Sequence, residues 1–496
     1  MTEPSMTEAG TTGVGTTGAD KTRKAMDWRR IAARLDGPWP IGRYLLLSAF
    51  AVFALLCWLP HPYYGEEPVY SITTIESWWH GSWLNPIQLG GEYGRPPLLN
   101  WLAMPLIWVL GWDHMLLATR LLSAASTLGT GALLAWFAHY LSRDRLLAAL
   151  AVACFLTGDL LMRRGWLAYS DPLFSVATFA AIVCLWVALD RRSAGLLVLA
   201  GIAITAAFLT KALTAYAFYG AAGIVLLWRH ENRRFLLSPA SLAVHAAVVA
   251  FAPLWIFVIA GGAQGEGLVH DFLMRANPRG LFSYVAGLLS FWAEIVLRML
   301  PTSAVVLALL LRPRLQTGSE PCPRWMATLR WMLLLGALPY LATPDNHMRH
   351  VLPLYPLFAM VVAELMLRRG RRLFAPLHAA FIAWIAVTIP LALVINPWTE
   401  ARRHGDSAET ARLIAAATQG KPLYTTDGSS ETLAVIAHLD WRRLPAQPIG
   451  TVPRSVWDGL FLAADPAPAQ FGREIGRYPM GKATILLLCR GSACSP

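Results

Sequence analysis

Six short stretches of this 496-residue chain carry side chains that can do chemistry. Tyr63-Tyr64-Gly65-Glu66-Glu67-Pro68-Val69-Tyr70 puts two adjacent carboxylates just beyond an apolar run, with no Lys or Arg beside them. Such a pair can serve as a general base or a metal ligand at a membrane boundary, where an ionised group is costly. The same carboxylates also suit the first turn of a helix, whose amide end attracts negative charge. Gly94-Arg95-Pro96-Pro97-Leu98 sets a guanidinium beside a proline-primed helix start, a plausible phosphate cradle. An Arg snorkelling toward lipid headgroups gives the same spacing. Tyr169-Ser170-Asp171-Pro172 supplies a second carboxylate or a helix cap, and Arg163 and Arg164 are near enough in sequence to neutralise it. Lys211 stands between two apolar runs with almost no loop, so it calls for an anionic partner such as phosphate or Asp171, or else it anchors the interface. His270-Asp271-Phe272 with Arg275 and Arg279, and Asn346-His347-Met348-Arg349-His350, add cationic and titratable groups that alone would read as solvated loops.

What positions these groups is a chain built for lipid. Hydrophobic residues make up 56% and charged residues 15%, whereas soluble globular chains are roughly half apolar and one quarter charged. That excess does not fit in one soluble core. The 21 Trp residues agree, because Trp and Tyr collect at membrane–water interfaces. The net charge of +12 falls in short basic clusters between apolar runs, the pattern that orients a membrane protein rather than a nucleic-acid-binding face.

Apolar runs near 43–59, 115–140, 145–162, 173–189, 194–209, 212–228, 239–260, 284–311, 327–342, 350–367 and 373–395 predict about eleven transmembrane helices. Residues 1–25 are rich in Thr, Gly and Ala and have no apolar centre, so residues 1–40 read as a disordered cytoplasmic tail and not a cleavable signal. With the N-terminus inside, the clusters Arg143/Arg145, Arg191/Arg192, Arg229/Arg233/Arg234, Arg312/Arg314/Arg324 and Arg368/Arg369/Arg371/Arg372 all face the cytoplasm, as the positive-inside rule requires. All six chemical stretches then face the other side. The first extracytoplasmic connection, 60–114, reads as two interfacial helices at 67–80 and 96–110. Residues 396–496 read as a small extracytoplasmic α/β domain, with a helix at 406–418 and strands at Lys421–Thr426 and Ala483–Cys489. The membrane domain would be 41–395. Cys57, Cys154 and Cys184 lie in apolar runs; Cys489 and Cys494 are close enough to pair if that end is outside, a question the sequence leaves open. No Cys/His spacing suggests structural zinc.

Carboxylates and cations from connections far apart in sequence therefore meet on one face, which suits an anionic substrate anchored in the bilayer. The ordered series Glu66-Glu67-Pro68-Val69-Tyr70, Gly94-Arg95-Pro96-Pro97-Leu98 with Trp101, Arg120-Leu121-Leu122-Ser123, Asp171-Pro172-Leu173, Leu209-Thr210-Lys211 and Leu352-Pro353-Leu354-Tyr355-Pro356 resembles the GT-C class of integral-membrane glycosyltransferases. Within that class it is similar to the aminoarabinose transferases and protein O-mannosyltransferases. No single motif is specific; the series is.

The resemblance implies an all-α polytopic GT-C fold in a bacterial inner membrane. It implies transfer of a sugar from a polyprenyl-phosphate donor to an envelope acceptor outside the cytoplasm, with inversion at the anomeric carbon. Glu66 takes the position of the catalytic carboxylate, where the family usually has Asp, and Asp171 that of the second acid. Arg95, Lys211, Arg275 and Arg349 are the expected donor-phosphate ligands, with Glu67, Tyr70, His270 and His350 in support. Close relatives carry Glu-Lys where this chain has Gly94-Arg95, so one metal ligand of some relatives is missing. Glu92 and His270 are the remaining candidates for a divalent metal, and no other cofactor is expected. A transporter would place its ionisable groups near the midplane and repeat its halves, which this chain does not. A non-catalytic binder of lipid-linked glycan is the other alternative.

Overall fold

The computed structural model describes residues 37–211, 213–259, 280–312, 322–341, 347–418, 420–453, 457–467 and 469–494. Among these, seven helical runs are long and apolar enough to cross a membrane, and Ile41–Leu56, Leu98–Leu110, Arg145–Leu156 and Thr302–Leu311 are shorter apolar helices. One continuous core joins the helices Met115–Ser142, Arg145–Leu156, Ser170–Arg191 and Tyr355–Arg369 through Phe137, Phe155, Phe179 and Tyr355. Leu45, Phe50, Val198, Ile202 and Ile224 remain exposed on the outer surface, as lipid-facing side chains would.

Two expected spans are broken. The 145–162 run ends its first helix at Leu156 and resumes at Asp159. Gly158 stands at the break, where a Cβ would collide with the Tyr355 ring, whose hydroxyl donates to the Cys154 carbonyl at 3.1 Å. The 284–311 run splits into Leu281–Arg298 and Thr302–Leu311. The Leu300 carbonyl accepts from the Asp159 amide at 3.1 Å, and Arg298 reaches the Asp159 carboxylate at 3.0 Å. The break falls at Arg298-Met299-Leu300-Pro301-Thr302-Ser303, where the proline and its polar neighbours interrupt the apolar run.

The expected helices after the first span are present as Glu67–His80 and Leu98–Leu110, the latter entered through Pro97. Between them strands β1 (Ile87–Gln88) and β2 (Gly91–Glu92) form a hairpin. The Glu76 carboxylate pins that hairpin, accepting from the amides of Leu89 at 2.6 Å and Gly90 at 2.9 Å.

Residues beyond 403 form a mixed sheet with two helices, Ser407–Thr418 and Ser430–Arg442. Its strands are β3 (Leu423–Thr425), β4 (Gly450–Thr451), β5 (Gly459–Ala464), β6 (Arg473–Met480) and β7 (Ala483–Arg490). They lie in the order β4-β3-β5-β7-β6, with β3 parallel to both neighbours and β7 antiparallel to both of its own. Cys489 and Cys494 are joined by a disulfide. Ile72 and Leu89 of the first connection are buried in the same apolar cluster as Val435, Ile436 and Ile449, and the Thr451 amide donates to the Leu89 carbonyl at 2.7 Å. The α/β unit is thus packed onto the segment that carries Glu66, and truncating a buried anchor such as Ile72 would cost about 2–5 kcal/mol.

Candidate active site

The segment 59–67 is held from below by one guanidinium. Arg120 is fully buried and donates through Nε to Glu67 Oε1 at 2.8 Å and through its terminal nitrogens to Glu67 Oε2 and the carbonyls of Leu59, His61 and Pro62. The same carboxylate accepts from the amides of Tyr64 at 2.8 Å and Ala168 at 2.7 Å. Glu67 is therefore a structural clamp that supports the site. Its partner was not evident from sequence because it lies 53 residues away, inside an apolar run.

With Glu67 pointing inward, Glu66 points outward. Gly65 makes the turn at φ +59, and a Cβ there would stand 2.6 Å from the Tyr169 hydroxyl. That hydroxyl accepts from the Glu66 amide at 3.0 Å and donates to the Tyr64 carbonyl at 3.3 Å. Burial pushes the Tyr169 hydroxyl up to about 12, so it stays a neutral donor.

Glu66 meets Arg349 across 283 residues, with the two terminal nitrogens of Arg349 donating to its two oxygens at 3.0 and 3.1 Å. Arg349 Nε lies 3.9 Å from Asp171 Oδ2, and Asp171 in turn accepts from Lys211 Nζ. Arg95 sits over the Tyr93 ring at 5.8 Å and close enough to Glu66, Lys211 and Arg349 to feel their charges. Tyr70 reaches Ser170 at 3.2 Å, beside Asp171. Burial alone would raise the Glu66 pKa; the hydrogen bonds and charge of Arg349, with the charge of Arg95, outweigh it and hold the carboxyl below its ordinary value. Setting aside the Glu67–Arg120 pair, Arg95, Lys211 and Arg349 bring three cations around the two carboxylates Glu66 and Asp171.

Glu66 and Arg349 open onto a cleft of about 550 Å³ between the membrane helices and the α/β unit. Arg164, Tyr169, Arg298, His347, His404 and Glu431 are among its walls. Three of these correct or extend the sequence reading. Arg163 and Arg164 do not neutralise Asp171: Arg163 pairs with Asp159 at 2.7 Å, and Arg164 stands 6.0 Å from the rings of Tyr64 and Tyr169. His347, rather than His350, lines the cleft; His350 lends its carbonyl to the Tyr340 hydroxyl at 2.6 Å. His404 comes from beyond the membrane helices and lies between Glu400 and Glu431 at 3.5 and 3.6 Å, and no local pattern announced it. His270, Arg275 and Arg279 lie outside the described residues.

Among the described residues no three His, Cys, Asp or Glu side chains gather into a metal-binding group; of the two candidate ligands, Glu92 is exposed on β2 and is not among the cleft walls, and His270 lies outside the described residues.

The crystal structure of ArnT from Cupriavidus metallidurans bound to undecaprenyl phosphate superposes with a TM-score of 0.67, covering 92% of this chain and 100% of that one at 14% identity. The two chains share one fold over nearly their whole lengths. The apo form of the same ArnT gives a TM-score of 0.62. A family model for dolichyl-phosphate-mannose-protein mannosyltransferases matches residues 89–262, a stretch that holds Arg95, Asp171 and Lys211. The undecaprenyl phosphate-alpha-4-amino-4-deoxy-L-arabinose arabinosyl transferase of Pectobacterium carotovorum is 26% identical over 375 residues, 71% of this chain and 61% of that one. Its counterpart from Edwardsiella ictaluri is 30% identical over 212 residues, 41% and 37% of the two chains. The chain thus spans less than two thirds of the length of these relatives. On this shared fold, four of the five charged groups of the outer site, Arg95, Asp171, Lys211 and Arg349, come from four separate connections and meet Glu66 at one end of the helices.

Proposed function

We propose that this chain is an inverting glycosyltransferase that moves a sugar from a polyprenyl-phosphate donor to an acceptor on the extracytoplasmic face of a bacterial inner membrane. The observation that carries this reading is Glu66, shared with Arg349 at the mouth of the cleft, beside Asp171, Lys211 and Arg95. The acceptor hydroxyl or amine enters from the cleft and attacks the anomeric carbon opposite the phosphate. Its new bond forms as the bond from the anomeric carbon to the phosphate oxygen breaks. The proton passes to Glu66 and the electron pair to the polyprenyl phosphate. Arg95, Lys211 and Arg349 meet the charge that grows on that phosphate. Arg275, outside the described residues, is a fourth candidate for the same task. In the free enzyme Arg349 occupies Glu66; a donor phosphate competing for the guanidinium would release the base.

The same reading puts the N-terminus inside, with about eleven spans, and the α/β unit outside. The basic clusters and the Cys489–Cys494 bridge support that orientation, since disulfides persist in oxidising compartments. The α/β unit then roofs the acceptor path. No step calls for a metal. Aminoarabinose is the first donor sugar to test, because relatives are named for it; lipid A, another envelope glycan, a lipid or a protein are the acceptors to compare.

The experiment is transfer from a panel of radiolabelled polyprenyl-phosphate sugars to isolated envelope fractions. Label moving from one donor into one fraction names both substrates. A folded protein that binds the lipid but moves no label from any donor would point to a binder instead.

A further inference from the structure

A second cavity lies at the opposite end of the helices, far from Glu66 in the topology. It is a groove of about 280 Å³ between Ile41–Leu56, Met115–Ser142 and Arg145–Leu156. Leu45, Ala132, Ala135 and Ala148 make its apolar wall, and Arg145 and His139 stand at its end. From His139 to Leu128 the groove follows eleven residues of one helix, about 16 Å at the helical rise. That is roughly the depth of one leaflet of a hydrocarbon core about 30 Å thick.

We infer that this groove holds one acyl chain of an anionic phospholipid from the cytoplasmic leaflet, with its headgroup phosphate at Arg145. The inference rests on the orientation proposed above. The charge argues for an anionic lipid. Arg145 is exposed and meets no carboxylate in an ion pair among the described residues. Its neighbour Asp144 turns instead to the Leu146 amide at 2.7 Å. Arg143, two residues away in sequence, is a second exposed cation, over the Tyr140 ring, and His139 Nδ1 is buried without a hydrogen-bond partner among the described residues. The chain's own N-terminal segment is a poorer occupant. Residues 1–25 have no apolar run, and the following segment carries Arg29, Arg30 and Arg34, of the same charge as Arg145.

Native mass spectrometry of the full chain tests this, after delipidation and titration with phosphatidylglycerol or phosphatidylcholine. The wild type should retain one phosphatidylglycerol in preference to phosphatidylcholine. Arg145→Gln should cut that preference about fivefold, the effect of one surface cation on an anionic lipid. Ala132→Phe, at an exposed groove position, should remove the retained lipid of either kind. Val198→Phe, on an exposed position of another helix, should leave it in place. Equal retention by wild type and Ala132→Phe would overturn the proposal. So would equal affinity of the wild type for the two lipids. A lipid bound only after residues 1–36 are removed would assign the groove to that segment instead. Sugar transfer is not read in this experiment, so its outcome is independent of the proposed enzymatic activity.

Discussion

Arg349 grips Glu66 by both carboxylate oxygens, at 3.0 and 3.1 Å, while its Nε faces Asp171 at 3.9 Å. One guanidinium therefore ties the proposed base to the second acid, and it holds the base ionised.

Removing that guanidinium should change the pH profile as well as the rate. Glu66 sits below its ordinary pKa because Arg349 and Arg95 outweigh burial, so as a base it stays available on the acid side. In Arg349→Ala burial is left less opposed, the pKa rises, and the acid limb of kcat/KM should move to higher pH. The rate itself should fall about a hundredfold or more, as when one transition-state donor is lost. A pH–rate profile checks this, and an unmoved acid limb would separate Arg349 from Glu66.

Arg95 should act on the donor. Arg95→Ala should raise the donor KM about tenfold, the worth of one charge-assisted contact, with little change in the acceptor KM. Steady-state kinetics with each substrate varied in turn would show it, and equal damage to both would count against a phosphate role.

Glu67 should act on stability. Both side chains of its pair with Arg120 are 0% exposed, and breaking a buried ion pair from one side costs roughly 3–5 kcal/mol. Glu67→Gln should lower the thermal unfolding midpoint sharply in detergent. Glu67→Gln with Arg120→Met should recover part of that loss, because no charge is then left alone. Additive losses would deny the coupling.

Much of this site could be read from the chain because charge is conspicuous in an apolar sequence. Glu66, Arg95, Asp171, Lys211 and Arg349 each stood where an ionised group needs a reason, and all five meet. The pairings could not be read. Arg349 reaches Glu66 across 283 residues, and Arg120 looked like part of a span until its carboxylate was visible. The split of 284–311 had a local signal in Arg298, Pro301, Thr302 and Ser303, which the overall hydropathy of the long run outweighed. In the α/β unit the runs that became β3 and β7 were recognisable, whereas β6 carries Arg473, Glu474 and Arg477 on exposed positions and gave no apolar signal.

Gly65 offers a local test of how Glu66 is aimed. Its φ of +59, and a Tyr169 hydroxyl only 2.6 Å from where a Cβ would stand, leave room for glycine alone. Gly65→Ala should cost about 1–2 kcal/mol in backbone strain and lower kcat by displacing Glu66. Adding Tyr169→Phe removes the clashing hydroxyl and should return part of kcat. No return would mean that the strain, and not the contact, sets the geometry.

The most direct measurement compares Glu66→Gln with wild type for binding and for transfer of the same labelled polyprenyl-phosphate sugar. Gln keeps the size of the side chain and can still accept from Arg349, but it cannot take the acceptor's proton. The account predicts donor binding close to wild type and transfer lowered by about 10²–10⁴, the usual contribution of a general base. Transfer at the wild-type rate in Glu66→Gln would contradict it.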